Sequence, residues 1–520
     1  MKRFLTLLVA CFLVLSMAAF AENSGGLDKD GVTNATGYPI TNEVITLDVV
    51  WSYAAAQDFS EMTNIFDWIE EQTNIRLNLI TYTEDDQLAL MFASGDFPDL
   101  AIRTTATAIQ RQNAVDAGDL VELDALIDEY CPTWKAFFEE NELTDKLTQI
   151  NGKRYTLPWV NFAAYDRQLR DLQLIYEPWL DELGMEMPTT IDELTEYLRA
   201  LKAAAGTGTI PENVMPLYYL AGNWVGGEFN IYSQFGVYMG GADYLVVEDG
   251  VVKYQAINEA IKEPLKWMQQ MYAEGIIPAE CYTDDWATYL TRRQSEPVQC
   301  GIHYSYGIYV DGMTALPPVD SGNGTTPYLT SQSNIPNGEH CFYLFSTNEY
   351  PVATMRLMEF FVENVENMTN VCIGLEGEMW EYNEEGQRSQ IQTMYTEESK
   401  PVSGFWNQVP GILADEFYEN WDNNEFTDGG LRAIEFNEKL VGKTVPQDLN
   451  YVGGALDEEK TALMAQYYTD IGNCQKATFA RWVTTDADID AEWDAFVEEI
   501  NSYNLEAWLE LKQEAYDLIH

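Results

Sequence analysis

An α/β fold with more than one hydrophobic core is predicted by three observations: the length of the chain, its globular composition, and an early alternation of strand and helix patterns. The chain has 520 residues, and beyond roughly 250–300 residues a single core stops growing and the chain splits into domains. With 46% hydrophobic and 13% aromatic residues there is ample material for packed cores, which excludes a disordered chain.

The alternation begins at residues 44–51, VITLDVVW, a strand by its branched side chains. Met62, Ile65, Phe66 and Ile69 then recur at helical spacing. Ile75, Leu77 and Leu79 alternate with Arg76 and Asn78 in a second strand, a helical stretch from Asp85 stops at Gly95, and Leu100–Ile102 makes a third strand. Right-handed crossovers of this β-α-β-α-β kind build a parallel sheet with helices on both faces. Ligands of such sheets sit outside the carboxyl ends of the strands, which points to Trp51 and to the loop from Ser94 to Asp99.

Further along, a turn over residues 151–155 leads into a strand and hinge at Thr156–Trp159. Residues 178–205 read as helix with a break at Met187-Pro188, and 258–275 as helix again. Phe342–Phe345 reads as a buried strand, and Pro351 opens a helix carrying Ala353, Leu357, Phe360 and Phe361 on one face. Trp493, Phe496, Val497 and Ile500 mark a last helix over 490–501.

The chain opens with Met1-Lys2-Arg3, an apolar run from Phe4 to Leu15 and Ala19-Phe20-Ala21. That is an export signal over 1–21 with an A-x-A cleavage site. A lipobox-like Leu8-Val9-Ala10-Cys11 is the competing account, in which the chain is tethered to the membrane. Residues 22–42, rich in Gly, Asn, Asp and Thr, read as a disordered leader. Losing Lys2 and Arg3 leaves 27 basic residues against 84 acidic ones, a net charge of 27 − 84 = −57. Such a surface excludes nucleic acid and anionic lipid as partners and disfavours a polyanionic ligand. Six cysteines follow the signal at wide, irregular spacings without a C-x-x-C pair, and most are expected as buried small apolar residues.

Three patterns coincide in order and spacing: Ser94-Gly95-Asp96-x-Pro98-Asp99, Asn151-Gly152-Lys153-x-Tyr155-x-Leu157-Pro158, and Gly374-Leu375-Glu376-Gly377-Glu378. A fourth closes the chain, with Trp482 to Asp486, Asp488-Ile489-Asp490, Trp493-Asp494 and Gln513 to Asp517. Over nearly its whole mature length the sequence resembles the extracellular solute-binding proteins of ABC sugar importers, family 1, in their LipO-like branch. The resemblance implies an α/β, two-lobed type II periplasmic-binding-protein fold with a ligand cleft between the lobes. It also implies a monomer without cofactor that hands a carbohydrate to ABC permease subunits in the membrane. The expected division is 43–159 with 347–390 as the first lobe, 160–346 with 391–480 as the second, and 481–520 as a helical segment packing on the lobes. Crossings are expected near Trp159 and near Phe342 to Phe345. Relatives often carry a calcium loop after the helix that here ends near Ala205. The run Gly206-Thr207-Gly208-Thr209-Ile210-Pro211-Glu212 lacks the close-set oxygens calcium needs, so no metal is expected.

With a sugar as expected ligand, the 14 Trp and 31 Tyr gain weight, because sugar C–H faces pack on rings and hydroxyls seek polar partners. Trp51, Trp159, Trp224, Trp286, Tyr304, Tyr306, Trp380 and Trp406 lie in predicted loops or at strand ends and are the candidate ligand-binding rings; ordinary packing is the competing account for any one of them. Trp51 and Trp159 are the expected anchors of the first lobe, Trp224 and Trp406 the opposing wall. Trp68, Trp267 and Trp493, on helical faces, are expected to pack. Asp96 and Asp99 are candidates for ligand hydroxyls or for holding their own turn, and Glu376 between two glycines stands equally open. Asp486, Asp488 and Asp490 imitate a calcium loop without its Gly and Glu, which favours helix capping. Only His303, His340 and His520 are histidines, and no H-E-x-x-H, P-loop or G-x-S-x-G occurs, so no catalytic residue is assigned. A binding protein for peptides or another organic solute is the first alternative. A secreted glycoside hydrolase, needing only two carboxylates, is the second.

Overall fold

The computed structural model describes residues 28, 31–51, 63–80, 85–103, 106–161, 172–223, 227–238, 243–305, 310–330, 339–392, 404–405, 409–413, 417, 420–423 and 443–520. The chain forms two compact α/β units, one from 1–162 and 336–425, the other from 163–335 and 426–520. In chain order the strands of their main sheets are β1 (Ile45–Trp51), β2 (Ile75–Ile80), β3 (Leu100–Ile102), β4 (Thr156–Asn161), β5 (Leu172–Tyr176), β6 (Met215–Tyr218), β7 (Cys300–Ser305), β8 (Met313–Ala315), β9 (Glu339–Leu344) and β10 (Gly411–Leu413).

The first unit is built on six strands in the order β10-β4-β9-β3-β1-β2. β1 runs parallel to β2 and β3, and β10 parallel to β4, while β9 is antiparallel to both its neighbours. The period of two sends Leu47, Val49 and Trp51 into one apolar cluster with Ile65, Ile69 and Phe342, and Val50, Ala101 and Tyr343 into another on the opposite face. Cover on both faces explains why VVW lacks the polar alternation of a half-exposed strand. Ile65 and Ile69 sit on the helix Thr63–Thr73, as the spacing predicts. The helix Pro351–Phe360 is buried on all sides, from Val352 to Phe360, where the sequence predicted a single buried face.

Two expectations for this unit are corrected. Residues 31–42 of the supposed disordered leader pack on the unit: Val32 and Ile40 join its core, and the Arg356 guanidinium donates to the carbonyls of Asn34 and Gly37. Asp28 accepts the Val352 and Ala353 N–H groups at 2.8 and 3.1 Å, supplying the cap that Tyr350 does not. A polar composition gives the segment no core of its own, but distant partners complete it. The second correction concerns the return crossing. The chain re-enters this unit before β9 and keeps to it through 425, because β9 lies inside the sheet and β10 pairs with β4.

The second unit has four main strands in the order β8-β5-β7-β6, with β7 parallel to β6 and antiparallel to β5. The predicted break near Met187-Pro188 separates Glu177–Leu183, which stops at left-handed Gly184, from Ile191–Ala203, which starts with a Thr190/Glu193 capping box. Residues 481–520 belong to this unit's own core: Trp482, Trp493, Phe496 and Trp508 are buried in one cluster with its sheet. Asp488 caps the helix Ile489–Ser502 through the Ala491 N–H, and Trp68, Trp267 and Trp493 pack as expected. Of the six cysteines that follow the signal, Cys131, Cys281, Cys300, Cys341 and Cys372 are buried and Cys474 is half-buried. Among the described residues, no helix is long and apolar enough to cross a membrane.

Candidate functional site

Strand directions fix one ligand-side edge in each unit. In the first unit the carboxyl ends of β1, β2, β3, β4 and β10 share an edge with the amino end of β9. Trp159, half-buried, stands at this edge between Glu339 and Gly411 in register. A Cβ at Gly411 would lie 3.6 Å from the ring's Cδ1, an ordinary contact distance, which puts the indole alongside that strand. The indole Nε1 is enclosed and has no hydrogen-bond partner among the described residues.

Trp51 has a different place. It is level with Ile102, Phe342 and Leu157 along one row of the sheet, two positions deeper than Trp159, or roughly 7 Å. Its ring is fully buried, with the Phe405 ring centroid 4.6 Å away. Trp51 is therefore a core residue here.

Asp96 and Asp99 are not brought to this edge. Their loop leads into β3 and so sits at that strand's amino end. The Asp99 carboxylate accepts the Asp48 N–H at 2.7 Å, the Asp99 N–H donates back to the Asp48 carbonyl at 3.0 Å, and the Asp99 carbonyl receives Phe345 N–H. Burial pushes the Asp99 carboxyl above its usual range, against the pull of the Asp48 N–H. Asp99 is a clasp between loop and strand, and Asp96 is exposed beside it. Trp380, also fully buried, donates its Nε1–H to Asn370 Oδ1 (3.1 Å) and the Gly374 carbonyl (2.9 Å). The same Asn370 oxygen accepts the Glu376 N–H at 2.9 Å. Trp380 thus pins the Gly374–Glu378 loop, leaving the Glu376 side chain exposed.

In the second unit the carboxyl ends of β6 and β7 share an edge with the amino end of β5. Tyr218 ends β6, and its hydroxyl donates to Asp284 Oδ2 at 2.7 Å; Arg292 Nε lies 2.8 Å from the same oxygen. Burial first, and the Asp284 carboxylate second, push the Tyr218 hydroxyl far up, so it stays a donor. Trp286 opens the helix Trp286–Arg293, which Asp285 caps, and was expected in a loop. Its half-buried ring stacks on Tyr289 at 5.8 Å with the Arg293 guanidinium 5.6 Å away. Tyr304 is buried in β7 and meets this group through its backbone: its carbonyl accepts the Tyr289 hydroxyl at 2.6 Å and its N–H donates to that hydroxyl at 3.3 Å. The loop after β6 is held by Glu228, buried at the start of the helix Gly227–Gln234, whose carboxylate accepts the Gly222 N–H (2.9 Å) and the Tyr244 hydroxyl (3.2 Å). Burial raises its pKa.

Trp224, Tyr306 and Trp406 lie outside the described residues. The sequence reading missed Tyr218, Asp284, Arg292 and Glu228. Tyr218 was within reach of the strand-end rule that picked Trp51; the other three acquire their roles only through partners distant in sequence. Among the described residues, no group of three or more His, Cys, Asp or Glu is placed to hold a metal. The 206–212 loop is closed from within: the Glu182 carboxylate accepts both the N–H and the hydroxyl of Thr209. Each edge offers an aromatic face beside fixed hydrogen-bonding groups, features suited to a polyhydroxylated solute.

Residues 64–375 match the family described as bacterial extracellular solute-binding protein. FusA of Streptococcus pneumoniae, a fructooligosaccharide ABC transporter substrate-binding protein, is 23% identical over 474 residues, 86% of each chain. Lipoprotein LipO of Bacillus subtilis is 22% identical over 267 residues, 50% of this chain and 49% of its own. The solved structure of FusA in complex with kestose superposes with a TM-score of 0.77 at 21% identity, covering 91% of this chain and 99% of that one. An HMO-binding, ABC-transporter-associated solute-binding protein of Bifidobacterium longum infantis gives 0.76 at 19% identity, over 92% and 99%. At such identities the superpositions establish a shared fold.

Proposed function

This chain belongs to the bacterial extracellular solute-binding proteins, and from that premise we propose that it captures an oligosaccharide outside the cytoplasm for an ABC importer, without catalysis. The observation that carries the reading is the pair of half-buried tryptophans, Trp159 and Trp286, each beside the carboxyl edge of its unit's sheet. The likeness to FusA, whose name gives fructooligosaccharide as its substrate, supports it. Trp159 supplies a stacking face; Trp286 supplies a second, beside the Asp284–Arg292 pair that the buried Tyr218 hydroxyl holds in place. The solute favours a closed form of the protein over an open one, which shifts the equilibrium toward closure. Permease subunits in the membrane then take it from a monomeric carrier.

The test is calorimetric titration of the exported chain with kestose, longer fructooligosaccharides, other plant and host oligosaccharides, and peptides. Saturable binding of one oligosaccharide class, with no new reducing ends after prolonged incubation, is the expected result. Binding of peptides alone would remove the carbohydrate assignment, and released product would remove the non-catalytic one.

A further inference from the structure

Three described arginines grip a carboxylate with two nitrogens at once. Arg76 gives Nε and Nη2 to the two oxygens of Glu70, and Arg199 does the same with Glu274. Arg154 holds Asp145 with Nε and Nη2 and sends Nη1 to Asp124. A two-point fork of this kind is the strong, structural form of the pair.

Arg292 and Asp284 meet differently. Arg292 Nε lies 2.8 Å from Asp284 Oδ2 as an ion pair, off the line of a hydrogen bond. The same oxygen accepts the Tyr218 hydroxyl at 2.7 Å. One carboxylate oxygen thus takes both partners. Asp284 Oδ1, Arg292 Nη1 and Arg292 Nη2 make no hydrogen bond to a described residue, and none of the three is enclosed. The Arg292 side chain is 33% exposed and that of Asp284 10%, while Tyr218 behind them is fully buried. The pair is therefore anchored on its inner side and open on its outer one.

Its place in the fold gives that opening a direction. Tyr218 is the last residue of β6, at the carboxyl edge of the second unit's sheet, the side on which ligands of such sheets sit. Asp284 stands two residues before Trp286, whose ring is half-buried at the start of the next helix. An acceptor and a planar set of donors lie side by side there. A hydroxyl is donor and acceptor together, so two neighbouring hydroxyls satisfy both arms. An anionic solute would meet the Asp284 charge.

We propose that Asp284 Oδ1 and the terminal nitrogens of Arg292 form one hydroxyl-reading subsite, in which a sugar hydroxyl donates to Asp284 while a neighbouring one accepts from Arg292, with Tyr218 as the positioning residue. This rests on the carbohydrate reading above and narrows it to a neutral solute with adjacent free hydroxyls.

The experiment titrates kestose and the other oligosaccharides of the panel into wild type, Arg292→Lys, Asp284→Asn and Tyr218→Phe by calorimetry, with a melting curve for each. Lysine keeps the cation beside Asp284 but lacks the terminal fork, and asparagine keeps the shape of Asp284 without its charge. Each should weaken the tightest oligosaccharide about tenfold or more and shift melting by less than about 4 °C, as for a partly exposed ion pair. Tyr218→Phe should weaken binding less, and adding it to Asp284→Asn should cost no further affinity, because Tyr218 acts only through that carboxylate. Wild-type affinity in Arg292→Lys or in Asp284→Asn overturns the subsite. So does a larger fall in melting temperature in both, which would make the pair structural. If wild type binds no oligosaccharide of the panel, the carbohydrate reading falls and the subsite with it; binding by wild type and all variants alike removes the subsite alone.

Discussion

Asp28 and Val352 are 324 positions apart and joined by a 2.8 Å hydrogen bond, the carboxylate of one receiving the N–H of the other. The bond closes the exposed end of a helix buried on every side, where an unsatisfied N–H would be costly. Replacing Asp28 with Ala should lower stability by about 1–2 kcal/mol, the usual worth of a cap. Asp28→Asn keeps an acceptor and should cost less. Burial holds the Asp28 carboxyl above its usual 3.8. The part of its contribution linked to that raised pKa is therefore complete below 3.8 and lost as pH rises through the folded pKa, while the cap bonds themselves persist. Denaturant melts of wild type and Asp28→Asn should accordingly converge as pH rises from 3.8.

His303 offers a steeper pH test. It is buried in β7, and burial, with Arg293 behind it, pushes its pKa from 6.5 down to about 3. The folded form is neutral where the unfolded chain binds a proton. Stability is complete above 6.5 and is lost as pH falls toward 3, at up to about 1.4 kcal/mol per pH unit for one proton. His303→Phe should flatten the acid limb by that slope in denaturant titrations. An unaltered limb would show that His303 is not the group responsible.

Trp159 and Trp51 should separate cleanly. Trp159→Ala and Trp286→Ala should each weaken oligosaccharide binding by about 2 kcal/mol, roughly thirtyfold, with little change in melting. Trp51→Ala should instead cost about 3–5 kcal/mol of stability, as a large buried ring does, with weaker binding only as far as unfolding removes protein. Calorimetry and melting curves on the three variants check both halves.

Glu182 closes the 206–212 loop by accepting the N–H and hydroxyl of Thr209. Removing its carboxylate with Glu182→Ala should cost about 1 kcal/mol through the two lost Thr209 bonds. Calcium or a chelator should leave the wild-type melting temperature where it is. A rise of several degrees with calcium would show that the loop takes metal after all.

Period and punctuation were enough to find the strands 45–51, 75–80 and 100–102, the helix 63–73 and the helix 489–502. These elements bury faces made of their own neighbours. Asp28 and β10 were misread, and the return crossing was placed at β9 instead of before it, because their partners lie hundreds of residues away. Trp51 and Trp159 both end strands, and only the register shows that one stops two positions short of the edge. Asp99 could be a sugar acceptor or a clasp by composition alone; its pairing with Asp48 decides for the clasp.

The position of β9 has a consequence for how the protein is made. β3 and β4 do not touch each other; each hydrogen-bonds only to β9 on that side, and β9 is made after the entire 163–335 insertion. A nascent or exporting chain that has emerged only through residue 335 lacks both β9 and β10, so three strand borders that the finished sheet closes stand open, one on β3 and both of β4. Such borders invite pairing with other chains. The long sequence separation also makes assembly slow. The second unit's own early strands, β5 to β8, have meanwhile all emerged. Pulse-labelled hydrogen exchange during refolding should show β6 and β7 protected before β3 and β4, although the latter pair begins earlier in the sequence.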